Sequence, residues 1–279
     1  MNGKITRIIS NLYTVKCGDL VYGCRARGKF RNIGISPVVG DNVVIDPEEN
    51  YILDVEPRRN ELKRPVIANV DMCFIVTSTK KPDLDLVLLD KLLSIVIYNE
   101  ITPVICFTKL DLLNEIELET IDNIKKYYEM IGIKCVYNSE KGLIKKLIEN
   151  KTVVLAGQTG AGKSSLINSL DESLHIETNE ISEALGRGKH TTRHVELYEI
   201  ADGYIADTPG FSALDINEIG KEELKYTFPE FDKYDCRFRD CMHNKENDCG
   251  VKKAVEEKLI LQSRYNNYLL FLEEVEKWK

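Results

Sequence analysis

The segment Gly157-Gln158-Thr159-Gly160-Ala161-Gly162-Lys163-Ser164 constrains this chain more than any other stretch. It fits G-x-x-x-x-G-K-[ST]. A β-rich run, Thr152 to Ala156, leads in, and a helical stretch, Ser164 to Leu170, leads out. The residue types follow from what such a loop must do. Glycines let backbone N–H groups turn inward and approach phosphate oxygens with no Cβ in the way. The start of the helix adds a favourable dipole. Lys163 can neutralise the β- and γ-phosphates, and the Ser164 hydroxyl can ligate Mg²⁺. The spacing therefore predicts a phosphate loop in an α/β domain.

Two further motifs bear on which nucleotide such a loop would serve. Thr108-Lys109-Leu110-Asp111 follows the apolar run Pro103–Phe107 and matches [NT]-K-x-D. A carboxylate at Asp111 can accept hydrogen bonds from the guanine N1–H and exocyclic amine together; adenine offers no such donor pair. The Lys109 stem would pack over the base. Thr108 stands where Asn is commoner, which puts one supporting hydrogen bond in question. Asp207-Thr208-Pro209-Gly210 follows the run Tyr204–Ala206 and fits D-x-x-G. There Asp207 would hold Mg²⁺ through water, and the Gly210 N–H would sense the γ-phosphate. The glycine-rich loop Leu185 to Arg193 reads as a switch segment or as an exposed linker. As a switch, one of its threonines, Thr192, completes the Mg²⁺ shell. The base-reading motif precedes the phosphate loop, the reverse of the usual order. A circular permutation explains this without altering the site.

The rest of the chain divides around these motifs. Residues 1–64 carry five short β-rich runs separated by turn signals, and predict a small closed barrel. An OB-fold leads, and an SH3-like barrel reads much the same. Residues 65–214 alternate buried strands (Val70–Thr77, Pro103–Phe107, Val153–Ala156) with helices (Asp85–Tyr98, Ile116–Ile131, Ser164–Leu170). That alternation predicts a parallel sheet covered on both faces. Residues 215–279 are rich in cysteine and charge, and end in one long predicted helix, Val251 to Lys279. Its apolar stripe runs through Leu259, Leu269, Leu272 and Val275.

Cys236, Cys241, His243 and Cys249 offer soft sulfur and nitrogen donors close together, a set suited to tetrahedral Zn²⁺ in a closed structural site. Their surroundings are too polar to fold on a core alone, so metal would supply the missing stabilisation. The other five cysteines (Cys17, Cys24, Cys73, Cys106 and Cys135) lie in strand-like runs and read as core thiols. No signal peptide is apparent at the N-terminus. No apolar stretch is long enough to span a membrane; the longest, Leu84 to Tyr98, is broken by Asp85, Asp90 and Lys91. A reduced, cytoplasmic protein is expected, and nothing demands an oligomer. The net charge of −7 excludes a uniformly basic nucleic-acid binder. Local clusters remain: Lys4 and Arg7; Arg25, Arg27, Lys29 and Arg31; Arg58, Arg59, Lys63 and Arg64. With interleaved Tyr13, Tyr22, Phe30 and Tyr51 they would suit RNA; alternatively they form a solvated charged face.

The barrel, TKLD before GQTGAGKS, the loop GRGKHTTR, DTPGF and the C-x4-C-x-H-x5-C cluster together resemble the RsgA (YjeQ/YloQ-like) family of ribosome small-subunit-dependent GTPases. The resemblance covers essentially the whole chain. It implies an N-terminal OB-fold, a permuted G domain and a C-terminal α-helical zinc-binding domain. It implies hydrolysis of GTP to GDP and phosphate, stimulated by the small ribosomal subunit, and a role in that subunit's late maturation through its rRNA. Carried over by position, Thr108 to Asp111 read guanine, Gly157 to Ser165 hold phosphates, and Cys236, Cys241, His243 and Cys249 hold zinc. Phe211 stands where a Gln often orients the attacking water, and a phenyl ring cannot do that. His190 is then the polar candidate for positioning water beside Lys163 and Thr192; the alternative is a contact with ribosomal RNA or solvent. Two other classes compete: an RNA-binding module whose nucleotide only switches its shape, and an ATP-dependent kinase or ATPase. Asp111 and DTPG argue against the second.

Overall fold

Alternating buried and outward-facing side chains close the first 55 residues into a barrel. In the computed structural model, which describes residues 1–28, 30, 34–63, 66–174, 176, 195–206 and 215–277, five strands form it. They are β1 (Asn2–Ile9), β2 (Leu12–Cys17), β3 (Leu20–Ala26), β4 (Asn42–Asp46) and β5 (Tyr51–Val55). Their order around the barrel is β1-β2-β3-β5-β4, with β1 also paired to β4 and β3 running parallel to β5. This is the OB arrangement, which led in the sequence over an SH3-like barrel that reads much the same. Ile5, Val15, Cys24, Val43, Ile45 and Ile52 fill the interior. Beneath it lies a hairpin of β6 (Glu61–Lys63) and β7 (Val66–Ala68). Gly40 sits at the contact with φ +90°; a Cβ there would lie 2.1 Å from the Ala68 carbonyl oxygen.

The second sheet has the order β10-β9-β8-β11-β13-β12. Its strands are β8 (Met72–Ser78), β9 (Thr102–Thr108), β10 (Lys134–Tyr137), β11 (Thr152–Ala156), β12 (Leu197–Ile200) and β13 (Gly203–Ala206). All neighbours are parallel except β12 with β13. The chain builds outward from β8 to β10, then returns to place β11 on the other side of β8. The strand order thus reverses between β8 and β11, and an open α/β sheet offers its ligand crevice at the carboxyl ends of such a pair. Among the described residues, four helices accompany the sheet: α1 (Leu86–Tyr98), α2 (Glu115–Met130), α3 (Lys141–Ile148) and α4 (Lys163–Leu170). Asp85 caps α1 by accepting from the Leu88 N–H at 3.0 Å, and Asn114 with Glu117 forms a capping box on α2. Strand β12 and helix α3 were not read from the sequence, and β10 only as the strand-like run around Cys135. Each is short, and α3 carries only two fully buried residues, Ile144 and Ile148.

The C-terminal residues contain α5 (Lys221–Leu224), α6 (Gly250–Glu256) and α7 (Gln262–Lys277). The single helix expected from Val251 onward is therefore two. Lys258 takes φ +62° and donates to the Val255 carbonyl at 3.0 Å, while the Leu259 N–H reaches the Ala254 carbonyl at 2.9 Å. That pair of bonds is a Schellman closure, made by a lysine where glycine is usual. It turns Leu259 out to solvent and Ile260 inward. Of the expected stripe, Leu272 and Val275 are buried and Leu269 is half-buried; Tyr268 and Phe271 complete the inner face. This face joins the same core as α1 and α2.

Several basic residues singled out in the barrel are spent on the fold. Arg58 donates to buried Asp41 through Nε at 2.7 Å and Nη2 at 2.8 Å. Arg59 pairs with Asp71 at 2.8 Å, and Lys63 with Glu218 at 3.5 Å. Lys4 reaches the Thr152 hydroxyl at 3.3 Å and the Gly40 carbonyl at 3.4 Å, and burial pushes its ammonium below the ordinary lysine value. Arg7 pairs with Glu196 at 3.4 Å and Lys16 with Glu199 at 2.6 Å, both across to the second sheet. Arg25 and Arg27 instead line a cleft of about 800 Å³ with Ile9, Leu12, Tyr13 and Phe30. Lys29, Arg31 and Arg64 lie outside the described residues.

Candidate functional site

Strand β11 ends at Ala156, and the chain turns at once through Gly157. Its φ is +131°, and a Cβ there would fall 2.0 Å from the Val76 carbonyl oxygen on β8. Only glycine fits, because the loop must cross against a neighbouring backbone. Gly160 and Gly162 also have positive φ, at +78° and +96°. Gly162 precedes the first turn of α4, so the N–H groups that have no helical partner gather at this loop. The Lys163 ammonium lies over the loop and donates to the carbonyls of Gly157 at 2.8 Å and Gln158 at 2.9 Å. Ser164 and Ser165 begin the helix behind it. The arrangement is a cationic, amide-lined cradle of the kind that holds oxyanions.

The TKLD segment stands beside it. Thr108 ends β9, and its hydroxyl donates to the Ala161 carbonyl at 2.7 Å with both residues buried. A Cβ added at Gly162 would meet the Thr108 side chain at 3.9 Å. A threonine in place of the commoner asparagine thus ties this turn to the phosphate loop. Lys109 is left-handed at φ +62°, which swings the following turn, Leu110–Leu112, outward and leaves Asp111 exposed. The Lys109 ammonium donates to the Lys81 carbonyl. Thr79, unmarked in the sequence, donates its hydroxyl to the carbonyls of Thr108 at 2.9 Å and Lys109 at 3.2 Å. The end of β10 adds a third segment at the same edge: the Asn138 N–H bonds the Phe107 carbonyl at 3.0 Å. Its only sequence signal was a four-residue strand. His190, Thr192, Asp207, Gly210 and Phe211 lie outside the described residues; β13 ends at Ala206, immediately before Asp207.

The cysteine cluster forms a second centre. The ligand atoms of Cys236, Cys241, His243 and Cys249 all lie within 4.8 Å of one another. His243 Nδ1 is 3.4 Å from the Sγ atoms of both Cys236 and Cys249, and those sulfurs are 3.7 Å apart. Burial works against the Cys236 thiolate, but the N–H groups of Val251 and Gly250 and the neighbouring thiols outweigh it and lower its pKa. Cys241 is pushed up to about 12 by burial, with the adjacent thiols adding to it, and Cys249 is raised for the same first reason. Burial, then Lys225, lowers His243 and favours the neutral imidazole. Three sulfurs and one neutral nitrogen converging this closely fit a soft dication that would hold the thiolates ionised. The outer contacts fix the loop: Glu246 accepts from the N–H groups of Met242 and Asn244, each at 2.8 Å. Tyr265 and Tyr268 donate to the carbonyls of His243 at 2.7 Å and Met242 at 2.6 Å.

Comparison with known proteins decides the family. A family model described as RsgA GTPase matches residues 55–217, and one described as RsgA N-terminal domain matches residues 2–52. The chain belongs to the RsgA GTPase family. Among RsgA relatives, the small ribosomal subunit biogenesis GTPase RsgA 2 of Oceanobacillus iheyensis is 49% identical, over 99% of this chain and 98% of its own length. That of Clostridium botulinum is 47% identical, over 99% and 97%. Among solved structures, YloQ, described as a circularly permuted GTPase, superposes with a TM-score of 0.84 at 38% identity, covering 100% of this chain and 96% of its own. YjeQ from Thermotoga maritima gives 0.87 at 34% identity, covering 98% of each. The permuted RsgA order is visible here in the sheet, where β8 and β9 precede β11 in the chain yet lie on one side of it in a single parallel set, β8 beside β11 and β9 beyond β8. Among the described residues, no helix is long and apolar enough to cross a membrane.

Proposed function

We propose that this chain is a GTP hydrolase that binds the small ribosomal subunit and acts in its late maturation, with turnover stimulated by that subunit. Beyond family membership, the observation that carries the reading is the 2.7 Å bond from Thr108 to Ala161, which locks a guanine-reading turn to a phosphate loop. The chain divides by role into a barrel (1–64), a G domain (65–214) and a zinc-binding helical domain (215–279).

In this reading Asp111 accepts from the guanine edge, Lys109 covers the base, and Thr108 and Leu110 set the turn. The backbone from Gly157 through Gln158, Thr159, Gly160, Ala161 and Gly162 to Ser165 cradles the phosphates, with Lys163 supplying charge. Mg²⁺, when bound, neutralises charge on the β- and γ-phosphates; Ser164, Thr192 and Asp207 are the residues assigned to hold it, with Gly210 at the γ-phosphate. His190 is assigned to orient the attacking water, since Phe211 cannot. Zn²⁺ at Cys236, Cys241, His243 and Cys249 is structural. The Arg25–Arg27 cleft, with Tyr13 and Phe30 beside it, suits RNA, combining cations with aromatic faces. The protein acts in the cytoplasm as a monomer.

The test is phosphate release from GTP with purified small subunits, large subunits or buffer alone. Strong stimulation by small subunits only is expected. Equal rates in all three would remove the ribosomal assignment and leave the nucleotide assignment standing.

A further inference from the structure

We propose that Arg7 and Lys16, on the barrel, are positioning residues for GTP hydrolysis, acting through the β12–β13 hairpin of the G domain. The inference rests on the reading above in one respect: Asp207, the residue after β13, acts at the bound nucleotide.

Strand β12 is the outer strand of the G-domain sheet, with β13 on its inner side. On its other side it meets the barrel. Arg7 of β1 and Glu196 form an antiparallel bridge, and their side chains pair at 3.4 Å. Two strands of the barrel take part, since Lys16 of β2 reaches Glu199 at 2.6 Å. A register shift between Ile5 and Arg7 marks a bulge in β1, and a bulge re-aims the residues beside it. The barrel wall thus departs from regular pairing where it touches the hairpin.

The hairpin carries that contact inward. Glu199 pairs with Tyr204 and Leu197 with Ala206 in the β12–β13 register, and Ala206 pairs with Val154 of β11. Leu197 and Ile200 are buried on opposite faces of the sheet, in two different cores, while Glu199 shares the face of Leu197 but lies exposed at the edge. Strand β12 is thus packed into the G domain on both faces and tied to the barrel along its outer edge. A shift of β12 along its edge therefore reaches Ala206, one residue before Asp207.

The barrel has a second anchor elsewhere. Lys4 on Thr152 and Arg59 on Asp71 hold it to the starts of β11 and β8, the end of the sheet opposite the phosphate loop. Those contacts fix where the barrel sits; the Arg7 and Lys16 pairs fix how the hairpin lies against it. Both pairs are partly exposed, with side-chain exposures of 44% and 32% for one and 21% and 52% for the other. Exposed pairs add little to stability. Their consequence is directional: a charged edge held in register beside β13, whose last residue, Ala206, immediately precedes a carboxylate that must meet its target closely.

The experiment compares the full chain with Arg7→Glu/Lys16→Glu, with Glu196→Lys/Glu199→Lys, and with all four substitutions together, measuring kcat and KM for GTP and the affinity for GDP. Each reversed pair is expected to lower kcat about tenfold and to leave GDP affinity within about twofold, because the base-reading turn and phosphate loop are untouched. The fourfold variant, with the charges exchanged, should recover most of kcat. Melting temperatures show that each variant is folded. Wild-type kcat in the folded reversed variants, or a loss that the exchange does not mend, would overturn the inference. Asp207→Asn serves as the control. Slow turnover there with full turnover in the reversed variants sinks the positioning role alone; full turnover in both sinks the assignment of Asp207 beneath it.

Discussion

Arg264 and Asp90 meet at 2.7 Å with neither side chain exposed to solvent. Asp90 lies on α1 of the G domain and Arg264 on α7 of the C-terminal part. Arg264 also donates to Glu230 through Nε at 2.8 Å and Nη2 at 3.1 Å, and its guanidinium lies 4.3 Å from the Phe228 ring centroid. Tyr128 and Asn267 both donate to Asp90 at 2.6 Å. Every member is satisfied by protein, so removing one leaves an uncompensated charge in the interior. Arg264→Met or Asp90→Asn is expected to cost about 3–5 kcal/mol in urea unfolding. A loss below about 1 kcal/mol for both, the range of exposed pairs, would show that water reaches this site.

The phosphate loop makes a sharper test of backbone geometry. Alanine at Gly157 must place its Cβ 2.0 Å from the Val76 carbonyl at φ +131°. Backbone on both sides cannot yield cheaply, so Gly157→Ala should abolish GDP binding and lower stability by more than about 1–3 kcal/mol. Isothermal titration and a thermal melt check both halves. Wild-type GDP affinity would mean that the loop does not hold phosphate in this conformation.

Thr108 is expected to matter through one bond. Thr108→Val keeps the shape and removes the donor to the Ala161 carbonyl, leaving that buried acceptor without it. A lost neutral hydrogen bond of about 1 kcal/mol weakens GDP binding about fivefold. Thr108→Ser should retain wild-type affinity, since it keeps the hydroxyl. Weakening in Thr108→Ser with wild-type affinity in Thr108→Val would assign the effect to packing of the γ-methyl.

How much of this was legible beforehand depended on whether a residue's role was local. The loop from Gly157 to Ser164 announced itself because strand, glycines, lysine and helix are contiguous, and the cysteine cluster because its donors lie close in sequence. Asp90 shows the opposite case. In sequence it merely interrupts an apolar run; its partner Arg264 lies 174 residues away, and no pattern joins them. Arg58, Arg59 and Lys4 likewise read as part of a basic surface until the fold brought Asp41, Asp71 and Thr152 to them from other parts of the chain. The break between α6 and α7 was hidden because a lysine, Lys258, supplies the left-handed residue where glycine would have marked the stop. Strand β12 escaped notice because four residues carry too little periodicity to separate from a loop.

Metal removal is expected to reach beyond the cysteine loop. Helix α7 holds that loop with one set of side chains, Tyr265 and Tyr268 on the carbonyls of His243 and Met242. It holds the G domain with another, Arg264 and Asn267 on Asp90. Phe231 connects the two, lying edge-on to His243 with centroids 5.3 Å apart and packed on Tyr268 at 5.1 Å. Stripping zinc with a strong chelator therefore releases three thiols whose ionised forms burial disfavours, and loosens one side of α7 while the other stays clamped. Metal binding of this kind is folding free energy, so the loss should be several kcal/mol, with the thermal midpoint falling and recovering on zinc addition. Tyrosine near-ultraviolet circular dichroism should change in step, because Tyr265 and Tyr268 lose their fixed acceptors. A Cys249→Ser chain should behave as the stripped protein does, with or without added zinc. An unchanged midpoint after verified zinc removal would mean that the four side chains hold the loop by their own packing.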